Sequence, residues 1–448
     1  MPAHFVTVDR DTPMLLPPDL RDWVPSNHLV HFLIEAVEQL DVRTARINEQ
    51  GSGSDQYPPA MMLGLLIYSY ATGVFSSRRI EQSTSDSVAV RLLCAETHPD
   101  HDTICAFRRS NRELLSRGFA QVLELAARCR VLQVGEITVA IDGTKVLANA
   151  SQHAAVSYRR AGEQLQQVEL EIEQLLARAD AADARPLQDG LTVEGELTRR
   201  QVRKTQLQRA RAEMEARAFA RAQAERAARD SDPPGSPPPA APKPQDQYNF
   251  TDPDNRIMPA GGATHFEQSY NAQAAVEVES RLIVGQRVCQ ATNDKEQLVP
   301  TRQSVEPAAG PVKEVLIDSG FVSEQAVRTV EQDEHGQPTG TAVLAAVQRE
   351  RHGRTVAQLE KRADPPAPPD DAPLLEPLAH RTATAAGRAR YKLRQQTVEP
   401  IFGIIKEAIG FRRFMLRGLE KVSLEWTLVA LAYNLRRLHT LGAVLKAA

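Results

Sequence analysis

The sequence predicts an α/β fold: a mixed sheet with flanking helices, preceded by an all-α N-terminal domain and interrupted by a helical, coiled-coil-like insertion. Three observations lead there. Apolar residues recur at three- and four-residue spacing through residue 131. Short β-branched runs ending in turn residues appear only after that. A long stretch rich in Ala, Arg, Glu and Gln then separates the first such run from the others.

In order, residues 26–40, 59–74, 77–93 and 102–131 carry helical periodicity, with Ser26 a natural cap for the first and Asp102 or Thr103 for the last. Residues 137–141 (ITVAI) form a strand that should end on the turn dipeptide Asp142-Gly143. Residues 270–278 and 282–290 alternate as a hairpin about Glu279-Ser280-Arg281. Residues 315–317, leading into Asp318-Ser319-Gly320, and 342–347 are two further strands, and 388–408 and 419–441 are helices. Within the insertion, Leu165, Val168, Ile172, Leu175 and Ala179 follow the a/d seam of a coiled coil; a second helix over 194–229 makes an antiparallel hairpin. Such an arm is either a dimerisation or DNA-clamping device or a solvated insert. Residues 231–244 (SDPPGSPPPAAPKP) are a semi-rigid linker, and 363–377 a second Pro-rich loop. The expected division is 1–131 helical, 132–154 with 246–448 catalytic, 155–230 insertion and 231–245 linker. Strand, hairpin, strand, strand, helix, helix is an order compatible with an RNase-H-like core.

With 42% hydrophobic and 25% charged residues the composition is that of a soluble globular protein, and the net charge of −3 means that any nucleic-acid affinity must come from local clusters. Cys94, Cys105, Cys129 and Cys289 include no C-x-x-C pair and suit a reduced cytoplasm. The first residues lack a signal-peptide pattern, and the apolar run 60–75 is short for a membrane span.

Three carboxylates stand out. Asp142 (VAIDGTKV) and Asp318 (VLIDSGFV) each follow an apolar strand and precede a glycine, so each can face a cleft without filling it; Glu399 lies on the helix after the last strand. Hard oxygen ligands of this kind suit Mg²⁺ or Mn²⁺, and a pair of such ions can serve in-line phosphoryl transfer. Taken singly, each Asp is equally ordinary turn chemistry and Glu399 an ordinary solvent-facing helix residue.

At these residues the chain resembles the DDE transposases of bacterial insertion sequences whose last block carries a Tyr-Arg-Glu-Lys pattern. The blocks are IDGTKVLANAS (141–151), YNFTDPDNRIMPAGG (248–262), YNAQAAVEVESRLIV (270–284), IDSGFVS (317–323) and VEPIFGIIKEAIGFRRFMLRG (398–418). The stretches 57–82 and 98–109 are similar to the helical N-terminal domain of the same proteins. The resemblance implies an RNase-H-like catalytic domain, two Mg²⁺ or Mn²⁺ ions held by Asp142, Asp318 and Glu399, cleavage at the element's ends and strand transfer into target DNA. It implies as partners the terminal inverted repeats and target DNA, and a homodimer or larger assembly on DNA. Lys406, at the family's spacing from Glu399, takes a DNA-backbone role. Tyr391 and Arg394 are spaced correctly from one another, but four residues instead of three separate Arg394 from Glu399. On a helix Arg394, at i−5, is therefore expected to point well away from Glu399, with Gln395 and Lys392 at i−4 and i−7.

Lys392, Arg394, Lys406, Arg412 and Arg413 belong to a C-terminal basic run suited to phosphate contact. Arg78, Arg79, Arg108, Arg109 and Arg112 form a second cluster, expected to recognise the terminal inverted repeats. His98 and His101 read as a turn before a helix, Asp294 with Gln297 as a helix cap, Glu277 and Glu279 as an exposed strand face, and Trp426 as core. A non-transposing nuclease, or an inactive relative that only binds DNA, would carry much the same residues.

Overall fold

The computed structural model describes residues 19–47, 56–133, 135–180, 191–227, 241–260, 264–347, 364–369 and 371–445. Most of the Pro-rich linker and part of the second Pro-rich loop lie outside them. The N-terminal helices are α1 (Leu29–Glu38), α2 (Pro59–Ala71), α3 (Ser77–Asp86), α4 (Val88–Leu93), α5 (His101–Ser110) and α6 (Arg112–Arg128). Two expected long helices are each broken once. Ser87 is extended and its hydroxyl accepts from the Val90 N–H, restarting the helix as α4. Asn111 leaves the helical region and its side chain instead joins the Phe107 carbonyl to the Arg46 N–H. Asp100, rather than Asp102 or Thr103, caps α5 by accepting from the Thr103 N–H at 2.7 Å.

The sheet is built on β1 (Ile137–Leu147). After it come β2 (Ala155–Ser157), the arm helices α7 (Tyr158–Asp180) and α8 (Val193–Ala227), β3 (Gln247–Asn249), β4 (Arg256–Ala260), β5 (His265–Glu277) and β6 (Ile283–Cys289). Strand β5 pairs antiparallel with β1 on one edge; on the other it meets β4 with its first half and β6 with its second. Then follow α9 (Leu298–Gln303), β7 (Val312–Ile317), α10 (Glu324–Glu331) and β8 (Ala342–Ala345), with β7 parallel to β1 and β8 parallel to β7. The result is a mixed sheet in the order β6–β5–β1–β7–β8, β4 sharing the β6 edge. Its last helices are α11 (Leu375–Ala383), absent from the sequence expectation, α12 (Ala385–Gly403) and α13 (Leu419–Thr440).

The arm is an antiparallel pair, as the contacts running in opposite senses along its helices require: Arg200 meets Glu171, Arg203 meets Gln164 and Arg211 meets Tyr158. Leu165, Val168, Ile172 and Leu175 are half-buried on the seam, whereas Ala179 is exposed. At its root Arg217 donates to the Pro253 carbonyl and lies over the Tyr248 ring.

One apolar core runs from the N-terminal helices through the sheet, with α13 between them. Inside it Glu425 is fully buried; it accepts from the Tyr70 hydroxyl at 2.6 Å and from the Met415 and Leu416 N–H groups at 2.9 Å. Arg108, 3% exposed, donates to the Tyr70 hydroxyl and the Phe75 carbonyl, each at 2.8 Å. Removing one member of such a buried set leaves the others uncompensated, at a cost of about 3–5 kcal/mol. Glu425→Ala should lose that much in urea unfolding; a loss under about 1 kcal/mol, the value of an exposed pair, would mean the network does not join the N-terminal helices to the last helix.

Candidate active site

Asp142 does not end its strand. β1 continues through Gly143 to Leu147 because β5 pairs with it all the way, Asp142 opposite Ala274 and Gly143 opposite Gln273. What ends is the neighbour: β7 pairs with β1 up to Ala140 opposite Leu316, and its last residue is Ile317. Two residues further in this parallel register Asp142 stands beside Asp318, in the same phase of the pleat. The Asp142 Oδ1 accepts from the Gly143 N–H at 2.9 Å, and the Asp318 Oδ1 from the Gly320 N–H at 2.7 Å.

Helix α12 crosses this point. Thr384 caps it, and Arg394, Thr397, Val398, Ile401 and Phe402 are among the residues it buries. Arg394 is directed at the acids, contrary to the spacing argument. Its Nη2 lies 3.0 Å from Asp142 Oδ2 and 3.8 Å from Asp318 Oδ2, and its Nη1 3.2 Å from Glu399 Oε1. Side chains lean toward the N-terminus of their helix, so Glu399 reaches back while the long guanidinium arm covers the remaining rise. All three acids thus meet one buried cation, whose Nε has no partner among the described residues. Pro400 and a π-helical turn over Ile404–Ala408 follow, and π turns of this kind are frequent at functional sites. That turn carries Lys406, whose Nζ donates to the Lys145 carbonyl of β1 at 2.9 Å. Burial lowers the Lys406 ammonium, and Arg412 lowers it further.

The opposite face of β1 holds a second polar group. Gly143 and Lys145 pair with Gln273 and Asn271, both fully buried. The two amides donate to the same oxygen, Asp294 Oδ1, at 2.6 and 2.7 Å. Asp294 therefore does not cap a helix; α9 begins at Leu298 without a side-chain cap. Glu277 is likewise not an exposed strand residue: it is buried and takes the Glu279 and Ser280 N–H groups of the hairpin turn. Buried Asn271 and Gln273 were not singled out from the sequence, although two polar residues alternating in the otherwise apolar strand YNAQAAV were the available signal.

Of the other expected DNA-facing residues, Lys392, Arg412, Arg413, Arg78, Arg79 and Arg109 are exposed, and Tyr391 is half-buried beside the acids. Arg412 is paired with Glu407. Arg108 is not available to DNA, since its guanidinium is enclosed in the Tyr70–Glu425 network. His98 and His101 bond to Thr84 and Glu81, as a structural turn requires, and Trp426 is core, its Nε1 donating to the Gln273 carbonyl.

Burial pushes the Asp142 carboxyl up from 3.8 to about 6; Arg394 and the Gly143 N–H oppose the rise, Asp318 and Asp294 add to it. The fold thus binds this proton more tightly than the unfolded chain does. The resulting stability is fully present below pH 3.8 and lost as pH rises through about 6. Asp142→Asn, which keeps the neutral shape, should exceed the parent at pH 8 by about 2–3 kcal/mol, and the gap should close in acid. Equal stability at pH 8, read by denaturant titration, would contradict the burial argument.

Comparison with known proteins gives two matches at opposite ends of the chain. Residues 18–110 match "Transposase domain (DUF772)", and residues 372–439 match "Transposase DDE domain". The second contains Arg394, Glu399 and Lys406; Asp142 and Asp318 lie outside both. No curated protein and no solved structure matches the chain. Among the described residues no helix is long and apolar enough to cross a membrane. A match to a transposase domain over the first helices and one to a DDE domain over the helices that close on the sheet together support a DDE-type transposase of an insertion sequence.

Proposed function

We propose that the chain cleaves DNA at the ends of an insertion sequence and joins those ends to target DNA, on an RNase-H-like domain with Asp142, Asp318 and Glu399 as its catalytic acids. The observation that carries this is the convergence of those acids on Arg394 from two parallel strands and a crossing helix. The fold reading is supported by the strand order, with the antiparallel strands β5 and β6 on one side of β1 and the parallel strands β7 and β8 on the other. The domain division given above accords with it: the arm and its root form a separate small core of their own.

The donor set has the chemistry a divalent cation asks for, hard carboxylate oxygens from separate parts of the chain. Among the described residues no group of three ligands is gathered as a ready metal cage, the acids being drawn to the guanidinium. Mg²⁺ or Mn²⁺ held by Asp142, Asp318 and Glu399, two ions in the full scheme, would supply Lewis-acid activation of the attacking and leaving oxygens. The chain's own residues do the rest. Arg394 offsets the mutual repulsion of the acids, burial of Asp142 keeps water from its inner side, and Lys406 sets a cation at the edge of β1. Exposed Lys392, Arg412 and Arg413 on the same C-terminal region offer salt-sensitive backbone contact. Arg78, Arg79 and Arg109 are the residues assigned to end recognition, and assembly as a homodimer or larger on DNA completes the reading.

Asp142→Asn, Asp318→Asn and Glu399→Gln should each reduce Mg²⁺-dependent cleavage and joining of duplex oligonucleotides bearing the flanking inverted repeats by more than about 100-fold, the upper range for an outer-shell partner. Filter binding of the same duplexes should stay within about twofold, a change of under 0.5 kcal/mol. Cleavage without joining by the parent chain would point to a nuclease, and undiminished cleavage in a variant would remove that acid from the site.

A further inference from the structure

The cluster on the reverse of β1 takes no part in the reading above. Asn271 and Gln273 are fully buried, and each directs its amide nitrogen to Asp294, leaving Asn271 Oδ1 and Gln273 Oε1 enclosed with no donor among the described residues. Leaving buried acceptors unpaired is costly, so the arrangement holds Asp294 Oδ1 in one place at the expense of the two amides. Gly143 makes the room: a Cβ there would come within 2.8 Å of that oxygen. Opposite stands Lys145, its Nζ 4.0 Å from Asp294 Oδ1. The oxygen already accepts two short hydrogen bonds, so the ammonium is attracted by charge alone, and among the described residues its enclosed Nζ has no hydrogen-bond partner. Burial lowers this lysine's affinity for its proton, while Asp294 sustains it.

We propose that Lys145 is a phosphate-binding residue of the DNA path, held on the reverse of β1 by Asp294 and released to a phosphodiester oxygen of the strand that enters the site. Two features favour a phosphate over a merely structural lysine. A buried ammonium with no hydrogen bond loses none on moving, and its flexible four-carbon stem can carry it round the strand edge. That edge is open where it matters, because β7 leaves β1 at Ala140 and the next contact is the single bridge of Leu147 to Arg413. Lys406 reaches the same edge at the Lys145 carbonyl. Two lysines thus meet at the stretch of β1 that follows Asp142, Lys145 by its own backbone and Lys406 at the strand edge.

This inference rests on the phosphoryl-transfer reading but is tested apart from it. In the full chain carrying Asp142→Asn, so that no strand is cut, the affinity for a fluorescein-labelled duplex is measured across a salt series. Lys145→Met should weaken binding and flatten the slope of log K against log salt by about 0.9, the counterion share of one phosphate, and Lys145→Arg should restore the slope. Lys145→Gln, which keeps a polar end for Asp294, must behave as Lys145→Met does; it decides the matter if Lys145→Met does not fold. An unchanged slope in either neutral variant overturns the proposal. Failure of the acid variants to lose cleavage overturns the catalytic reading alone.

Discussion

Three carboxylates cannot be drawn together in a half-buried cleft without a charge to balance them, and in this chain that charge is Arg394. Its guanidinium, 8% exposed, touches an oxygen of Asp142, of Asp318 and of Glu399. Its planar fork suits it to meeting several carboxylates at once, which a lysine's single ammonium does less well. Everything that brings the centre about serves this meeting: the parallel register that sets Asp142 beside Asp318, and the helix that brings Arg394 and Glu399 over them. The burial that raises Asp142 and the guanidinium that opposes that rise are two sides of one balance.

Much of this was legible beforehand. Strand β1, the hairpin of β5 and β6, strands β7 and β8 and the last helix follow from β-branched and helical periodicity, because a sheet covered on its faces and a helix packed on one side leave those periods in the chain. The three acids emerged from strand context together with the resemblance. What was not legible depended on partners distant in sequence. Asp142-Gly143 has the composition of a turn, but β5 extends the strand through it. Arg394 was judged by angular position on a helix, a rule for neighbouring Cβ atoms that a long side chain overreaches. Local spacing implies a cap for Asp294 and an exposed strand face for Glu277, because the amides and turn N–H groups that claim them lie outside that spacing. Arg108 was grouped by charge with exposed neighbours, while Tyr70 and Glu425 enclose it.

That last network ties the two ends of the chain together. Tyr70 belongs to the N-terminal helices, Glu425 to the last helix, and the backbone Glu425 holds at Met415 and Leu416 lies just after the turn that carries Lys406. Asp252 and Asp254 add to this from the other side, accepting from the Gly418 and Leu419 N–H groups at the start of the last helix. The segment between the acids and the core is therefore clamped at its far end by Glu425 of the last helix and by Asp252 and Asp254 from far earlier in the chain.

The early departure of β7 also bears on how the molecule avoids its own kind. Leu147 directs its N–H and carbonyl to Arg412 and Phe414, so by alternation Gly143 and Lys145 present theirs to the same side, where no strand lies among the described residues. Unpaired strand edges are templates on which another chain can add a strand. Here the Gly143 N–H is taken by Asp142 and the Lys145 carbonyl by Lys406. Side chains of the candidate site thus act as the guard of a strand edge, and a chain that lost them would risk strand addition and aggregation.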